Sequence, residues 1–80
     1  MTPAQPVIPS PMTFSNALEH VKKGQRVART GWNGPGQWVE LRIQLPPYLN
    51  YLEIKTVQNT RVPWLASQTD ILAEDWELVT

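Results

Sequence analysis

Residues 13–29, TFSNALEHVKKGQRVAR, decide the fold of this chain. Phe14, Leu18 and Val21 fall at i, i+4 and i+7, with Ala17 filling the same stripe, so one face of a helix is apolar. Thr13 suits the N-cap, lysines 22 and 23 fall in the last turn, and Gly24 is placed to close the helix in a left-handed conformation. Directly after it, Gln25 to Arg29 reads as a short strand. A helix that empties straight into a strand, in a chain of 80 residues, needs a sheet to cover its apolar stripe.

The rest of the sequence supplies that sheet. Residues 30–36, TGWNGPG, hold three glycines and a proline and form a turn or loop. Residues 37–44, QWVELRIQ, alternate, with Val39, Leu41 and Ile43 expected inward and Trp38, Glu40 and Arg42 outward. An outward tryptophan is either a subunit contact or a binding platform. Leu45-Pro46-Pro47 breaks this strand. Residues 51–56, YLEIKT, form a third strand, followed by a turn at Gln58-Asn59. Pro63 limits Arg61-Val62 to an edge or irregular entry. Ser67-Gln68-Thr69-Asp70 has the spacing of a capping box, so a helical turn is expected through Ala73, with residues 76–79, WELV, as the last strand. The expected fold is α+β: an N-terminal helix packed on an antiparallel sheet, with a short helical turn near the C-terminus.

Composition narrows the function. Residues 1–12, MTPAQPVIPSPM, carry four prolines and no charged side chain, and read as a disordered or polyproline-like arm. Residues 13–80 form a single ligand-binding domain. A domain of this size buries only about 60% of its unfolded surface. With no cysteine and one histidine, self-association is the stabilising device left. The formal charge is zero, so the electrostatic grip of a nucleic-acid polymer binder is weak. Five of the seven basic residues (Lys22, Lys23, Arg26, Arg29, Arg42) lie between 22 and 42, and four of the seven acids (Asp70, Glu74, Asp75, Glu77) follow residue 69. These poles meet across an interface, or the basic one faces a ligand's phosphates. No apolar run approaches the roughly 20 residues of a membrane span, and no signal-peptide pattern is present.

The chain carries four tryptophans, more than so small a core needs, although one or two are expected within it. Trp64 and Trp76 bracket Ser67, Gln68, Thr69, Asp70 and Asp75 with no basic residue between them. Flat rings beside fixed acceptors are what binding a nucleobase or ribose requires, and stacking one base contributes about 1–3 kcal/mol. The GWNGPG segment has two readings, a glycine loop with Trp32 as a stacking lid, or a hairpin turn whose tryptophan covers the core edge. It lacks the lysine and serine or threonine of a phosphate-binding P-loop. Asp70, Glu74 and Asp75 read either as acid–base carboxylates or as caps of a helical turn. No nucleophile–base pair can be named, so binding without catalysis is expected, with no cofactor and no metal.

The motifs Phe14-x-x-Ala17-Leu18, Gly24-x-x-Val27-Ala28-Arg29-x-Gly31-Trp32-Asn33-Gly34 and Pro63-Trp64-x-Ala66-Ser67-Gln68-x-Asp70-x-Leu72-Ala73-x-Asp75-Trp76 resemble a small-domain family of phages and prophages. That family is known for the second Thoeris anti-defence protein. The resemblance runs from about Thr13 to Val79 and departs in the proline-rich arm and in residues 45–51. It implies a sponge that binds and sequesters a cyclic ADP-ribose isomer, glycocyclic ADP-ribose, made by a TIR-domain enzyme, without cleaving it. Some members hold cyclic dinucleotides in a separate pocket, which extends the expectation to CBASS signalling. It also implies a homotetramer with pockets between subunits, acting in the cytoplasm of the infected bacterial host.

Carried over position by position, Trp32 and Trp64 would supply stacking surfaces. Ser67, Gln68 and Asp70 would bond ribose hydroxyls or a base edge, with Asn33 and Asp75 as further contacts. Arg29 would balance a pyrophosphate or pair with a carboxylate at an interface. The rival reading is a phage structural or protein-interaction module whose tryptophans are interface anchors and which has no small-molecule ligand.

Overall fold

A computed structural model describes residues 12–32 and 36–80. Helix α1 (Phe14–Lys22) is followed by strands β1 (Arg26–Arg29), β2 (Trp38–Arg42), β3 (Tyr51–Lys55) and β4 (Arg61–Pro63), then helix α2 (Gln68–Leu72) and strand β5 (Trp76–Val79). The five strands form one antiparallel sheet in the order β4-β3-β2-β1-β5. The fold is α+β, as the alternation of patterns requires. The proline-rich residues 1–11 and Asn33 to Pro35 lie outside the described residues. Met12, placed by composition at the end of the arm, pairs with Asp75 and accepts from the Trp76 backbone N–H at 3.2 Å.

Helix α1 begins and ends where local chemistry dictates. Thr13 Oγ1 accepts from Asn16 N at 3.2 Å, and Asn16 Oδ1 accepts from Thr13 N at 3.1 Å, a reciprocal capping box. At the other end Gly24 adopts φ +89°. Its N–H donates to the Val21 carbonyl, and the Gln25 N–H reaches back to His20, the paired bonds of a Schellman closure. A residue with a Cβ at position 24 would strain this turn.

The buried face of α1, Ala17 and Val21, meets Val27 and Val39 of the sheet and Trp76 of β5. Register explains the choice of face. Val27 opposes Val39 and Leu78, Val39 opposes Ile54, and Leu41 opposes Leu52. Directly opposed residues share a face, so these positions make one apolar surface under the helix. Ile43, expected inward by alternation, is instead 71% exposed. Strand β2 ends at Arg42, so position 43 no longer follows the pleat, and no helix reaches over it.

The central arrangement sets both sheet edges. Strand β4, which ends in Pro63, lies at one edge, where a missing N–H breaks no interior ladder. Strand β5 lies at the other edge, paired with β1 over its full length from Arg26–Val79 to Arg29–Trp76. The α1 cap carries a direct test. Thr13→Ala is expected to cost about 1 kcal/mol and to lower the melting temperature by about 4–8 °C, as read by calorimetry.

Candidate functional site: an aromatic cleft and the ion-pair fork beside it

Three of the four tryptophans gather on the inner face. Trp76 is 2% exposed. Its ring lies 5.5 Å from Trp32, 6.0 Å from Trp64 and 5.6 Å from Phe14, the two indoles edge-on to it. Trp32 and Trp64 are themselves 6.3 Å apart at 70°. Edge-to-face contacts between aromatic rings add about 0.5–1.5 kcal/mol beyond their burial. Trp76 is therefore a core residue, while Trp32 and Trp64 are half-buried at the rim of the cluster.

The polar residues between Trp64 and Trp76 have local partners. Ser67 Oγ accepts from Asp70 N, and Asp70 Oδ2 accepts from Ser67 N, both at 3.1 Å, so the pair caps α2. Asp70 Oδ1 accepts from Arg29 Nη1 at 2.9 Å, and Asp75 Oδ1 accepts from Arg29 Nε at 2.8 Å. Arg29 thus forks between two carboxylates of its own chain rather than across an interface. The other oxygen of Asp75 accepts from Gly31 N at 2.9 Å and from Thr30 Oγ1 at 3.3 Å. A Cβ at residue 31 would stand 2.9 Å from that oxygen, so glycine lets the carboxylate reach the backbone. The fork ties the segment carrying Trp32 to both α2 and β5.

Electrostatics follow from this geometry. The hydrogen bond to Arg29 holds Asp75 below the usual carboxylate range, against a smaller opposing effect of burial. For Asp70, burial pushes the pKa up, but the hydrogen bonds from the Ser67 backbone and Arg29 outweigh it and leave the group depressed. Hydrogen bonding to Asp75, then to Asp70, raises Arg29 further above its ordinary value. Both carboxylates stay ionised at neutral pH, and neither holds a proton to give. Glu74 lies beyond the end of α2 and does not share a helical face with Asp70.

An opening lies on the other face of the sheet. A cleft of about 440 Å³ lies over Ala28, bounded by Trp32 and Trp38, with Thr30, Gln37 and Glu77 supplying polar groups. Its cause is a small residue in the right place. Ala28 opposes Glu77 on β5, and the register that pairs Val27 with Val39 sets it opposite Trp38 on β2. A methyl group between two large neighbours leaves a trough. Trp38 is fixed there: its Nε1 donates to Glu40 Oε2 at 2.7 Å, and Arg61 Nη1 donates to that same oxygen at 2.6 Å.

Of the residues read from sequence as ligand contacts, Trp32 and Arg29 border this cleft, whereas Trp64, Ser67, Gln68, Asp70 and Asp75 do not. Gln68 is exposed at the start of α2, and Asn33 lies outside the described residues. Trp38, read from sequence as a subunit contact or a binding platform, lines the cleft, and so do Gln37 and Glu77, which no sequence pattern marks. The signal for Trp38 was its outward position in an alternating strand; no local pattern pointed to Ala28. Among the described residues, no group of three His, Cys, Asp or Glu is arranged to hold a metal. No helix among them is long and apolar enough to cross a membrane.

An antiparallel sheet with a helix on one face and an aromatic trough on the other is the frame of a small α+β domain. Residues 12–79 match the family described as the Thoeris anti-defense 2-like domain. The chain is also 38% identical over 85 residues to the protein named Thoeris anti-defense 2 of Bacillus phage SP01, covering 86% of this chain and 96% of that relative. The chain belongs to the Thoeris anti-defense 2-like family, a phage anti-defence family, as its motifs led us to expect.

The depressed carboxylates predict an acid limit to stability. Their contribution is fully present above the unfolded-state carboxylate pKa of about 4 and is lost as pH falls through the lower folded values. The melting temperature should therefore hold steady down to about pH 5 and fall below about pH 4. Asp75→Asn should lower it at neutral pH and flatten the acid decline. Calorimetry across pH checks both.

Proposed function

We propose that this protein is a sponge for a cyclic ADP-ribose-type immune signal, glycocyclic ADP-ribose, which it binds and sequesters without cleaving any bond. The cleft over Ala28 carries the reading. At about 440 Å³ it falls within the range of pockets that enclose small molecules. It offers the planar rings and hydrogen-bonding groups that a nucleotide requires. In this reading Trp32 contacts the base and Trp38 walls the cleft, while Thr30, Gln37 and Glu77 meet the ribose hydroxyls or base edge. Asp70 and Asp75 act at one remove, fixing Trp32 through Arg29 and Gly31.

Binding without cleavage is supported by the state of the carboxylates. Asp70 and Asp75 are held ionised, and their oxygens are engaged with Arg29 and backbone N–H groups. With both oxygens of each carboxylate so engaged, neither is free to take a proton from a bound ligand or to give one. Sequestration needs only tight binding by abundant protein, in the cytoplasm of the infected host, so that the Thoeris effector is not switched on. A cyclic dinucleotide, the corresponding signal of CBASS, is the neighbouring ligand class and has the same combination of flat bases and phosphates.

The test is to load purified protein with glycocyclic ADP-ribose and then denature it by heat. Intact ligand in the supernatant is the expected result, and a cleaved product would overturn the sponge. Ala28→Leu, which fills the trough, is expected to weaken binding at least tenfold, a loss of about 1.4 kcal/mol, and to preserve the melting temperature.

The rival, a protein-interaction module, is favoured by one observation. Ile43, Leu45, Tyr48 and Leu49, around the β2–β3 connection, are 71%, 82%, 69% and 83% exposed. The two readings meet if this surface joins copies of the chain, and we place the contacts of a homotetramer there. Leu45→Glu with Leu49→Glu should then yield a smaller species in analytical ultracentrifugation. An unchanged sedimentation coefficient would remove this surface from the assembly, and silence in calorimetry against cyclic nucleotides would favour the rival.

A further inference from the structure

We propose that Arg26 and Lys55, stacked on Trp38, form the anion-binding end of the cleft and take the phosphates of the bound nucleotide. The inference rests on the nucleotide reading of the same cleft and adds which way round the ligand lies. The Arg26 guanidinium carbon is 4.6 Å from the centre of the Trp38 ring, and Lys55 Nζ is 4.4 Å from it. Two cations sharing one indole repel each other, and the attraction of each to the ring offsets this by only about 0.5–1 kcal/mol at an exposed site. An anion beside them relieves the repulsion.

The other cations of this face are already matched. Arg61 donates to Glu40 at 2.6 Å and to Glu53 at 3.3 Å, and Arg42 lies 3.9 Å from Glu53. Glu53 is 5% exposed and directly opposes Glu40 across β2 and β3, so Arg61 is spent on keeping two facing carboxylates together. Neither Arg26 nor Lys55 has a carboxylate oxygen within 4.0 Å among the described residues. Lys55 does have one fixed contact, donating to the Gly36 carbonyl at 2.7 Å. That bond holds the ammonium beside the cleft without neutralising it.

Position supplies the second half of the argument. Trp38 lines the cleft, and Arg26 lines an adjoining hollow of about 310 Å³ that shares Leu78 and Val79 with it. Arg26 opposes Val79 across β1 and β5, two residues along from the Ala28–Glu77 pair that floors the cleft. The trough therefore has a carboxylate, Glu77, at one end and, toward the other, two cations outside any close ion pair, with Arg26 acting on Glu40 at longer range. A phosphate is repelled by the first and drawn to the second, while hydroxyls and base N–H groups have the opposite preference. The pyrophosphate accordingly lies along Trp38 toward Arg26 and Lys55, and the base and ribose lie toward Thr30, Gln37 and Glu77.

Titrations of glycocyclic ADP-ribose into the unaltered protein, Arg26→Gln, Lys55→Gln and Lys55→Arg, at low and at physiological salt, test this orientation. Each Gln variant should bind about tenfold more weakly at low salt and show a shallower salt dependence, as expected when a phosphate contact is removed. Lys55→Arg should retain affinity, as should Lys22→Gln, which removes a charge far from the cleft. Melting temperatures report folding separately. Unaltered protein that binds while both Gln variants bind equally well, or lose affinity with no change in salt dependence, would overturn the orientation and leave the sponge standing. Unaltered protein that fails to bind would overturn both.

Discussion

Arg29 holds the functional half of the molecule together. One guanidinium joins β1 to α2 through Asp70 and to the start of β5 through Asp75, at 2.9 and 2.8 Å. Asp75 in turn grips the backbone at Gly31, and the next residue is Trp32. All three charged groups are largely removed from water, so none can be deleted alone without leaving an unmatched charge behind. For a fully buried pair that penalty is about 3–5 kcal/mol; Asp75, with its side chain 32% exposed, makes it smaller here. Against a total stability of about 5–15 kcal/mol, the fork is a large fraction of what keeps this end folded.

The two faces of the sheet divide the labour. The inner face carries Val27, Val39 and Trp76 under α1, with Phe14, Trp32 and Trp64 packed around Trp76. Among the described residues no helix covers the outer face, which is polar and built on Trp38, Glu40, Glu53, Arg26, Lys55 and Arg61. Trp38 is held on that face by hydrogen bonding rather than by burial. Its Nε1 and Arg61 meet at one oxygen of Glu40, and those bonds keep Glu40 ionised despite the opposing effect of burial. A ring fixed in this way keeps its shape as the side of a trough. Trp32 bridges the two faces, since it packs on the aromatic cluster and also borders the cleft.

Polar residues next to aromatic ones have two uses, and here the same sequence motif serves both at a distance. Ser67, Asp70 and Asp75 sit between Trp64 and Trp76, where a reader of the sequence looks for ligand contacts. In the folded chain they cap α2 and brace Arg29, and they shape the opening from behind it. Trp64 is similar: its ring supports Trp76 and Trp32 rather than facing the trough. Within this chain these residues brace the segment that carries Trp32.

What the sequence determined by itself is local. The caps at Thr13 and Ser67, the glycine closure at Gly24, the turn at Asn59 with φ 67° and the edge position of Pro63 each depend on residues within a few positions, so spacing alone reveals them. Tertiary structure decided everything that needed partners from distant strands. Ile43 follows the inward alternation but lies outside because its strand has ended. Arg29 pairs with Asp70 and Asp75, 41 and 46 residues away, which no local pattern joins. Ala28 became the floor of a cleft because strand register set Trp38 on one side of it and Glu77 on the other. A methyl group has no signature of its own; the space above it exists only once three strands are side by side.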